Sequence, residues 1–519
     1  MDRVNLAEHN ADYAVYLPAI SGYLMGLIGR CEKTPGWLAP NRTPKDFEHG
    51  FRGLDFLSDD KSYYHYDKAL YSAGHAYLDL EKSQLLEFCI HERPKHTTLL
   101  ADSGGFQVGK GVIKFDWEHF YEKPGDKGYI GKADSVRSKI LTWMEHTADY
   151  SMTLDVPPWA ANLYGERTGL NNFKECLDCT MFNNRWFEEN RLGKTKLLNI
   201  LQGTYWDDSE EWYQTVRQSK FEGWAMGGNN AHDMHMVLKR LIVMRDDGEL
   251  EQGKDWIHFL GTSKLEWAVM LSSIQRALRN YVNPDITVSF DAASPYVAAA
   301  NGRMYSRNVV TSKKMTYQMD RMFDGQEFSH FDPSQIGKTH IPWDSPISQR
   351  ARVADMLWYG PGMPNKRGDV GFTTAWDSMT YCIMMAHNVY KHITAVQEAN
   401  ALAALEHKRF PLDWRTWDKT KTKHTKQESQ WTPRNLLMFA SFVDELFQSD
   451  KPMDMLKQAE PFLEAVSHAK HSDGDASFKN SPANQFFDMP DDKDIDDGEF
   501  SEDQVEKLEE MERASHEDD

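Results

Sequence analysis

Residues 197–228 read LLNILQGTYWDDSEEWYQTVRQSKFEGWAMGG, and they contain one unit of the pattern that decides the fold. The unit begins with an apolar run that ends in Gln202-Gly203 and closes with a second apolar run that ends in Gly227-Gly228. Between them, apolar residues at three-to-four spacing predict an amphipathic helix over residues 209–220. A strand, a helix and a second strand in this order are typical of a parallel β-sheet.

The same alternation continues on both sides of this unit. Further helices are predicted over residues 233–246 and 264–281. Four more apolar runs each end at a polar residue or glycine: Thr97–Asp102 (TTLLAD), Ser151–Asp155 (SMTLD), Ile257–Gly261 (IHFLG) and Ile286–Asp291 (ITVSFD). Strands alternating with helices over about 200 residues predict an α/β protein, and a TIM (β/α)8 barrel with insertions suits this size better than an open sheet. Polar residues at several strand ends are typical of a barrel active site.

The net charge of −20 is concentrated at the end of the chain. Residues 488–519 carry 16 Asp or Glu and three Lys or Arg, which leaves −7 for the other 487 residues. The body can therefore carry basic patches, and the overall charge does not exclude a nucleic-acid partner. We predict a barrel over residues 1–404, a basic and aromatic helical extension over 405–470, and an acidic, disordered tail over 471–519.

Cysteine content and hydropathy indicate the compartment. Five cysteines in 519 residues do not make a disulfide framework, which favours a reducing cytoplasm. The most apolar early stretch, Ala14–Ile28, is interrupted by Pro18 and Ser21 and is too short to span a bilayer. We therefore expect a protein that acts in the cytoplasm, whether it is encoded by the cell or by a phage.

Three aspartates at the ends of apolar runs are the candidate chemical groups. Asp102 opens the segment Asp102–Gln107 (DSGGFQ), whose two glycines permit a sharp turn and the close approach of a flat ligand. Asp291 precedes Ala-Ala-Ser-Pro, and Asp155 precedes Val-Pro-Pro. Each has a structural alternative, which is an Asx turn for Asp102 and a helix cap for Asp155 and Asp291. Their recurrence at successive strand ends favours a shared site.

Three other patterns carry less weight. Gly104–Lys110 has the spacing of a phosphate-binding loop, but Gly111 stands where the magnesium-binding Ser or Thr is required. Cys176 and Cys179 have no second pair of ligands nearby in the sequence, so they do not predict a metal site. His387 is an isolated histidine, and such residues are usually structural.

In order along the chain, these segments resemble the motifs of the guanine transglycosylases, the family of the queuine tRNA-ribosyltransferases. Asp102–Gln107 matches the family's strongest signature, and Phe290-Asp291 lies at the Phe-Asp that carries its nucleophile. Asp155 falls at the family's base-recognising aspartate. Gln202-Gly203 and Gly227-Gly228 match its Gln-Gly and Gly-Gly pairs. Each motif alone is weak, but their common order is specific.

The resemblance spans about residues 14–400, with weaker similarity at Leu17–Ala19, Ser72–Tyr77 and His387-Asn388. The family binds zinc through Cys-x-Cys-x-x-Cys and the histidine of its His-Asn pair, but here no cysteine lies between Asp291 and Cys382. In the tRNA enzymes the zinc subdomain helps to hold the RNA. The chain therefore looks more like the branch that exchanges guanine in DNA for a 7-deazaguanine, and the resemblance implies neither metal nor cofactor.

The resemblance also implies a role for each matched residue. Asp291 would be the nucleophile that attacks C1′, and Asp102 would be the acid/base that protonates the departing guanine, as in retaining glycoside cleavage. Asp155 would accept hydrogen bonds from N1 and N2 of guanine. The implied substrate-binding residues are Ser103, Phe106, Asp155, Gln202, Gly203 and Gly228.

The sequence favours some partners over others without deciding between them. We expect DNA in preference to tRNA, together with a base such as 7-cyano-7-deazaguanine, and leave open whether the chain forms a homodimer. Phosphate contacts are predicted for two basic groups, the second of which would equally suit a solvated loop: Arg303, Arg307, Lys313 and Lys314, then Lys419, Lys421, Lys423 and Lys426. The alternatives are a tRNA transglycosylase of the queuosine or archaeosine type, a non-catalytic partner subunit, and a hydrolase in which water resolves the ester.

Overall fold

An eight-stranded parallel sheet forms the centre of the protein. The computed structural model describes residues 4–7, 11–322, 337–358, 375–419, 431–467 and 506–511. The strands of the sheet are β2 (Val15–Pro18), β4 (Lys68–Ser72), β5 (Thr98–Asp102), β6 (Tyr150–Met152), β7 (Lys196–Leu201), β8 (Gly223–Met226), β9 (Trp256–Phe259) and β10 (Thr287–Ala292). They lie in the order β2-β10-β9-β8-β7-β6-β5-β4, and all neighbours are parallel.

Backbone contacts between the two outermost strands of this order close the sheet into a barrel. Ala19, just after β2, forms a parallel bridge to Leu70 of β4. The backbone N–H of Ile20 donates to the carbonyl oxygen of Leu70 at 2.8 Å. Every strand of the sheet therefore has two neighbours, and the predicted TIM-barrel architecture is confirmed.

Helices and two smaller strand pairs surround the barrel. β1 (Val4–Asn5) pairs in parallel with β3 (Tyr64–His65), and β11 (Arg303–Val310) forms an antiparallel hairpin with β12 (Met315–Arg321). The α-helices are Gly22–Lys33, Leu80–Leu86, Phe88–His91, Gly105–Lys110, Lys132–Thr147, Trp159–Asn162, Gly165–Thr168, Phe173–Asn190, Trp206–Val216, Asn229–His232, Met234–Asp246, Leu265–Tyr281, Ser294–Ala300, Val353–Met356, Ser378–Arg409, Arg434–Gln448 and Pro452–Ser467. Short 3-10 helices cover Gly50–Leu54 and Trp414–Thr416.

An apolar cluster fills the interior of the barrel. Its buried members are Val15, Leu17, Leu70, Leu100, Met152, Leu198, Ile200, Ala225 and Trp256. Because side chains alternate across a strand, the residue two places further on points to the same side. That residue is Ser72 on β4 and Asp102 on β5, and Gln202 follows β7 in the same phase. The alternation thus directs polar side chains inward at the carboxyl ends of the strands.

The six strands expected from the sequence are all present, although some end earlier than expected. β6 ends at Met152 and β8 at Met226, and the next residues, Thr153 and Gly227, each donate one more backbone hydrogen bond to β7 before the chain turns into a loop. Two predicted helix starts are N-cap residues instead. Asp233 accepts backbone hydrogen bonds at the start of its helix, and Lys264 precedes the helix Leu265–Tyr281.

The extension packs onto the helical layer of the barrel. The predicted boundary between residues 404 and 405 lies inside the single helix Ser378–Arg409. Helix Arg434–Gln448 packs against Leu265–Tyr281, where the Arg276 guanidinium lies 3.0 Å from the Asp444 carboxylate. The buried residues described between 405 and 467 therefore share the core of the barrel helices rather than forming a separate one.

The final region of the chain is described only in part. Residues 506–511 form a short helix whose Leu508 is buried against the body, whereas most of the predicted acidic tail lies outside the described residues. Within the described ranges, none of the helices has the length and apolar character needed to cross a membrane.

Candidate active site at the barrel mouth

Three aspartates lie at the opening formed by the carboxyl ends of the strands, which we call the barrel mouth. Asp102 is the last residue of β5, Asp291 is the penultimate residue of β10, and Asp155 follows β6. Along the closed sheet, β2 and β4 separate β10 from β5, so Asp291 and Asp102 approach from different sides of the mouth. They are close enough to interact, because Asp291 contributes to the raised pKa of Asp102. The barrel therefore brings together the aspartates that the sequence singled out.

The structure shows which of these aspartates have the purely structural roles that the sequence allowed, a helix cap or a turn. Asp291 lies in a strand, and the helix that follows has Ala293 as its N-cap. The helix after Asp155 has Pro158 as its N-cap. Neither residue is therefore a helix cap. Asp102 does accept a backbone hydrogen bond within its own turn, so its turn interaction coexists with its position at the mouth.

The surroundings of Asp102 suit a group that carries a proton. Ser72, the last residue of β4, donates its hydroxyl to Oδ2 of Asp102 at 2.6 Å. Burial raises the pKa of Asp102 and the Asp291 carboxylate adds to the rise, while the Ser72 hydrogen bond opposes it. A carboxyl group with a raised pKa keeps its proton closer to neutral pH, which a general acid requires.

Two nitrogen atoms lie within hydrogen-bond distance of the same oxygen of Asp291. The backbone N–H of Gly261, in the loop after β9, donates to Oδ1 at 2.9 Å. Nε2 of His258 lies 3.2 Å from the same oxygen. None of the described residues donates to Oδ2. One oxygen of this carboxylate is thus anchored, and the other is left for a ligand.

Asp155 and Gln202 form a hydrogen-bonded pair at the mouth. Nε2 of Gln202 donates to Oδ2 of Asp155 at 2.8 Å. Burial raises the pKa of Asp155 to about 7 against the lowering effect of Gln202, and Asp102 adds to the rise. Gly105 permits this arrangement, because a Cβ at that position would lie 2.9 Å from two oxygens of Asp155. The pair therefore combines an acceptor that titrates near neutral pH with an amide.

Two glycines allow the loops after β7 and β8 to touch. Gly203 has a φ of 137° and Gly228 a φ of 56°, values that side-chain-bearing residues rarely adopt. A Cβ on Gly228 would lie 2.6 Å from the carbonyl oxygen of Gly203. The close approach of the two backbones explains why glycine occupies both positions.

Ser103 and Phe106 complete the predicted base pocket. Ser103 is buried, and its hydroxyl has no hydrogen-bond partner among the described residues. Buried hydroxyls normally have a partner, so this one fits a site that a ligand completes. The half-buried Phe106 ring packs edge-on against Trp159 with a centroid separation of 5.1 Å. A polar group and an aromatic ring are therefore present beside Asp102.

The basic residues predicted to contact phosphates have different placements. Four lie on the β11–β12 hairpin, which follows β10 and its helix: Arg303, Arg307, Lys313 and Lys314. On this hairpin Arg307 and both lysines are exposed, whereas Arg303 is half-buried. In the extension Lys419 is exposed. Three predicted residues lie outside the described ranges: Lys421, Lys423 and Lys426.

The His387-Asn388 pair holds the base of this hairpin. Nδ1 of His387 lies 2.8 Å from the Ser345 hydroxyl, and Nε2 lies 2.9 Å from the Tyr305 carbonyl oxygen, so both ring nitrogens are engaged. Asn388 accepts the backbone N–H of Tyr305 and donates to two further carbonyl oxygens. Within the described ranges, no three His, Cys, Asp or Glu residues are grouped as metal ligands would be. These residues do not fit the zinc site of the family that the sequence resembles.

Three residues of the mouth were not assigned a role from the sequence. Ser72 belongs to a segment of weak similarity, while His258 and Gly261 lie in the predicted run Ile257–Gly261. The sequence pattern that could have identified His258 is the alternation of side chains along β9 and β10. It points His258 into the barrel at the level of Ser289, one step below Asp291.

No protein-family model matches the chain, and no curated protein matches it. The function is therefore inferred from the sequence motifs and from the geometry and chemistry of the mouth.

We expect Asp155→Asn to stabilise the folded protein at pH 8 by about 4 kcal/mol and to have little effect at pH 4. The pKa of Asp155 is about 7 in the folded chain, whereas an unfolded Asp titrates at about 3.9. Forming the buried carboxylate therefore lowers the free energy of unfolding as the pH rises from about 4 to about 7. Urea denaturation at both pH values measures the difference.

Asp59→Asn serves as the control, because Asp59 is exposed. It should leave the free energy of unfolding unchanged at both pH values. An equal effect of Asp155→Asn at pH 4 and pH 8 would contradict the assigned pKa.

Proposed function

We propose that this chain is a guanine transglycosylase, a pentosyltransferase that replaces guanine in DNA with a 7-deazaguanine derivative through a covalent aspartyl–sugar intermediate. The observation that carries the proposal is the pair Asp102 and Asp291, which meet at the mouth in unlike surroundings. Retaining glycosyl transfer needs such a pair, because one carboxylate attacks as an anion while the other carboxyl group donates a proton.

In the first half-reaction, Oδ2 of Asp291 attacks C1′ of the target nucleotide and the bond from C1′ to guanine N9 breaks. The electrons of that bond go to the base, which takes a proton from Asp102. The products are free guanine, a sugar ester on Asp291 and a carboxylate on Asp102. The Ser72 hydroxyl, 2.6 Å from Asp102, stabilises the new carboxylate.

In the second half-reaction, the incoming 7-deazaguanine gives its N9 proton to Asp102, and N9 attacks C1′. The ester bond breaks, and Asp291 leaves as a carboxylate whose Oδ1 is met by the Gly261 N–H. Asp102 is again protonated, so the cycle closes. The energy of the glycosyl bond is conserved in the ester, and the exchange needs neither ATP nor a redox cofactor.

The remaining residues of the mouth suit the edge and face of guanine. The Asp155 carboxylate matches the N1–H and N2 donors, and Gln202 with the Gly228 backbone addresses O6. The unpaired Ser103 hydroxyl offers one more polar contact. Phe106 offers a ring for stacking, an interaction worth about 1–3 kcal/mol per base. A nucleotide must leave its stack to reach the mouth, at a cost of a few kcal/mol.

DNA is the proposed polymer, because the chain lacks the cysteines that complete the zinc site of the tRNA enzymes and the remaining histidine is engaged elsewhere. The same chemistry on tRNA is the alternative outcome of the test. A non-catalytic partner subunit is disfavoured, because Asp102 and Asp291 are both present.

We expect the protein to incorporate radiolabelled guanine into duplex or single-stranded DNA, and Asp291→Asn to abolish this incorporation. The amide is a poor nucleophile, so no ester forms. Polymer-bound label after gel filtration measures exchange, with unmodified tRNA as the parallel substrate. Incorporation into tRNA alone would overturn the choice of DNA while leaving the chemistry intact.

Asp285→Asn is the matched control. Asp285 is an exposed residue that precedes the opposite end of β10. The variant should exchange guanine at the wild-type rate. Substantial exchange by pure, folded Asp291→Asn would reject the assignment of the nucleophile.

Two basic features follow strands of the mouth in the sequence and suit the phosphates that flank a target nucleotide. The first is the β11–β12 hairpin, which carries the exposed residues Arg307, Lys313 and Lys314. The second is Lys110, whose ammonium lies 4.6 Å from the centre of the Phe106 ring. Both belong to segments that follow strands carrying the two catalytic aspartates of the proposal.

An acidic segment of the same chain lies against the second feature. Glu509, in the helical residues 506–511, lies 3.5 Å from the Lys110 ammonium. Leu508 is buried next to it, which fixes the segment on the body. A carboxylate on a phosphate-binding lysine is a phosphate mimic, so this segment would compete with the polymer for Lys110.

We expect the triple variant Arg307→Ala, Lys313→Ala, Lys314→Ala to weaken DNA binding and to flatten its dependence on salt. Each lost phosphate contact should reduce the slope of log affinity against log salt by about 0.9 on duplex DNA. Fluorescence anisotropy over a series of salt concentrations measures the slope. An unchanged slope would remove the hairpin from the proposed interface.

The control is a triple variant that replaces three exposed lysines at the end of the barrel opposite the mouth: Lys194, Lys196 and Lys220. Lys194 and Lys196 lie just before and at the first residue of β7, and Lys220 lies just before β8. Its slope should equal that of the wild type.

Deleting residues 506–519 should instead tighten binding at low salt, because it frees Lys110. Weaker or equal binding after the deletion would contradict the competition.

A further inference from the structure

A chain of polar groups runs through the barrel interior beneath Asp291. The cluster that fills the barrel is apolar, yet β9 and β10 bury His258 and Ser289 completely within it. Nε1 of Trp256 lies 2.8 Å from the Ser289 hydroxyl, which lies 2.9 Å from Nδ1 of His258. Burying polar groups is costly unless they are hydrogen-bonded, so each proton in this chain has a preferred place.

The direction of each hydrogen bond in this chain follows from Trp256, which stands at its start. The Trp256 indole can only donate, so the Ser289 oxygen accepts a hydrogen bond from it. The Ser289 hydroxyl is then free to donate to Nδ1 of His258. With Nδ1 as the acceptor, the ring carries its proton on Nε2 and donates it to Oδ1 of Asp291 at 3.2 Å.

The opposite tautomer is unfavourable here. It would place the lone pair of Nε2 against the carboxylate oxygen of Asp291, with two acceptors facing each other at 3.2 Å. The ordered chain avoids this repulsion and satisfies every member. Trp256 and Ser289 therefore act on Asp291 through the orientation and tautomer of one imidazole.

We propose that His258 is the positioning residue of the nucleophile. Its Nε2–H and the Gly261 N–H hold Oδ1 of Asp291, and this leaves Oδ2 as the oxygen that attacks C1′. The inference rests on the proposed function, since it assigns how the Asp291 carboxylate is presented to the sugar. His258 touches neither the sugar nor the base in this account.

Both half-reactions benefit from this arrangement. In the first, a fixed carboxylate meets C1′ without a search over its rotamers, and a misplaced group is expected to cost about 100-fold in rate. In the second, negative charge returns to Asp291 as the ester breaks, and the Nε2–H donor is already aimed at Oδ1.

The test compares two variants at the same position. His258→Leu keeps the volume but removes the donor, whereas His258→Gln retains an amide N–H near the position of Nε2. In a single turnover with guanine-labelled DNA, we expect guanine release to be about 100-fold slower for His258→Leu. We expect His258→Gln to recover at least about tenfold of this loss. Guanine affinity should be unchanged in both, because the base pocket is intact.

A second measurement is independent of catalysis. Nitrogen-15 NMR of histidine-labelled wild-type protein should show a His258 ring protonated at Nε2 with an acceptor Nδ1, and Ser289→Ala should shift the Nδ1 resonance. The His258→Leu spectrum identifies the signal. A ring protonated at Nδ1 alone would overturn the proposal, as would wild-type rates of release in His258→Leu or equal losses in both His258 variants. Failure of the wild-type protein to release guanine from any polymer would reject the proposed function instead, and the tautomer would still be measurable.

Discussion

The closure of eight parallel strands is the constraint on which the rest of the structure depends. The bridge from Ala19 to Leu70 joins β2 to β4 and leaves no edge strand in the sheet. In an open sheet, the residues of β5 and β10 would diverge; in the closed barrel, they share one mouth. The period of two along each strand then selects which side chains enter it. Asp102 and Asp291 interact because of this geometry alone.

The chemistry proposed for the mouth depends on the different surroundings of its three carboxyl groups. Asp102 is half-buried and lies near another carboxylate, and both effects raise its pKa against the hydrogen bond from Ser72. Asp291 instead has one oxygen fixed by a backbone N–H and an imidazole. Asp155 is paired with an amide and titrates near neutral pH. An acid, a nucleophile and a recognition group can thus coexist within one small site.

Local sequence patterns predicted much of this arrangement. The runs ending at Asp102, Gln202 and Asp291 identified strands and their polar ends, because a parallel barrel strand is a short apolar segment followed by functional residues. Ser72 and His258 could not be assigned in this way, since their roles come from pairing between strands that are distant in sequence. The packing of the extension onto the barrel also depends on contacts such as that of Arg276 with Asp444, which no local pattern contains.

The proposed function requires Asp291 to form a covalent bond to the sugar of a polynucleotide. The most direct measurement is to quench a turnover with DNA in acid, digest both polymers and locate the sugar-bearing peptide by mass spectrometry. We predict one modified peptide, with the added mass on Asp291. Modification of Asp102 or Asp155 instead, or a reaction that releases guanine with no protein-bound sugar at any time, would contradict it.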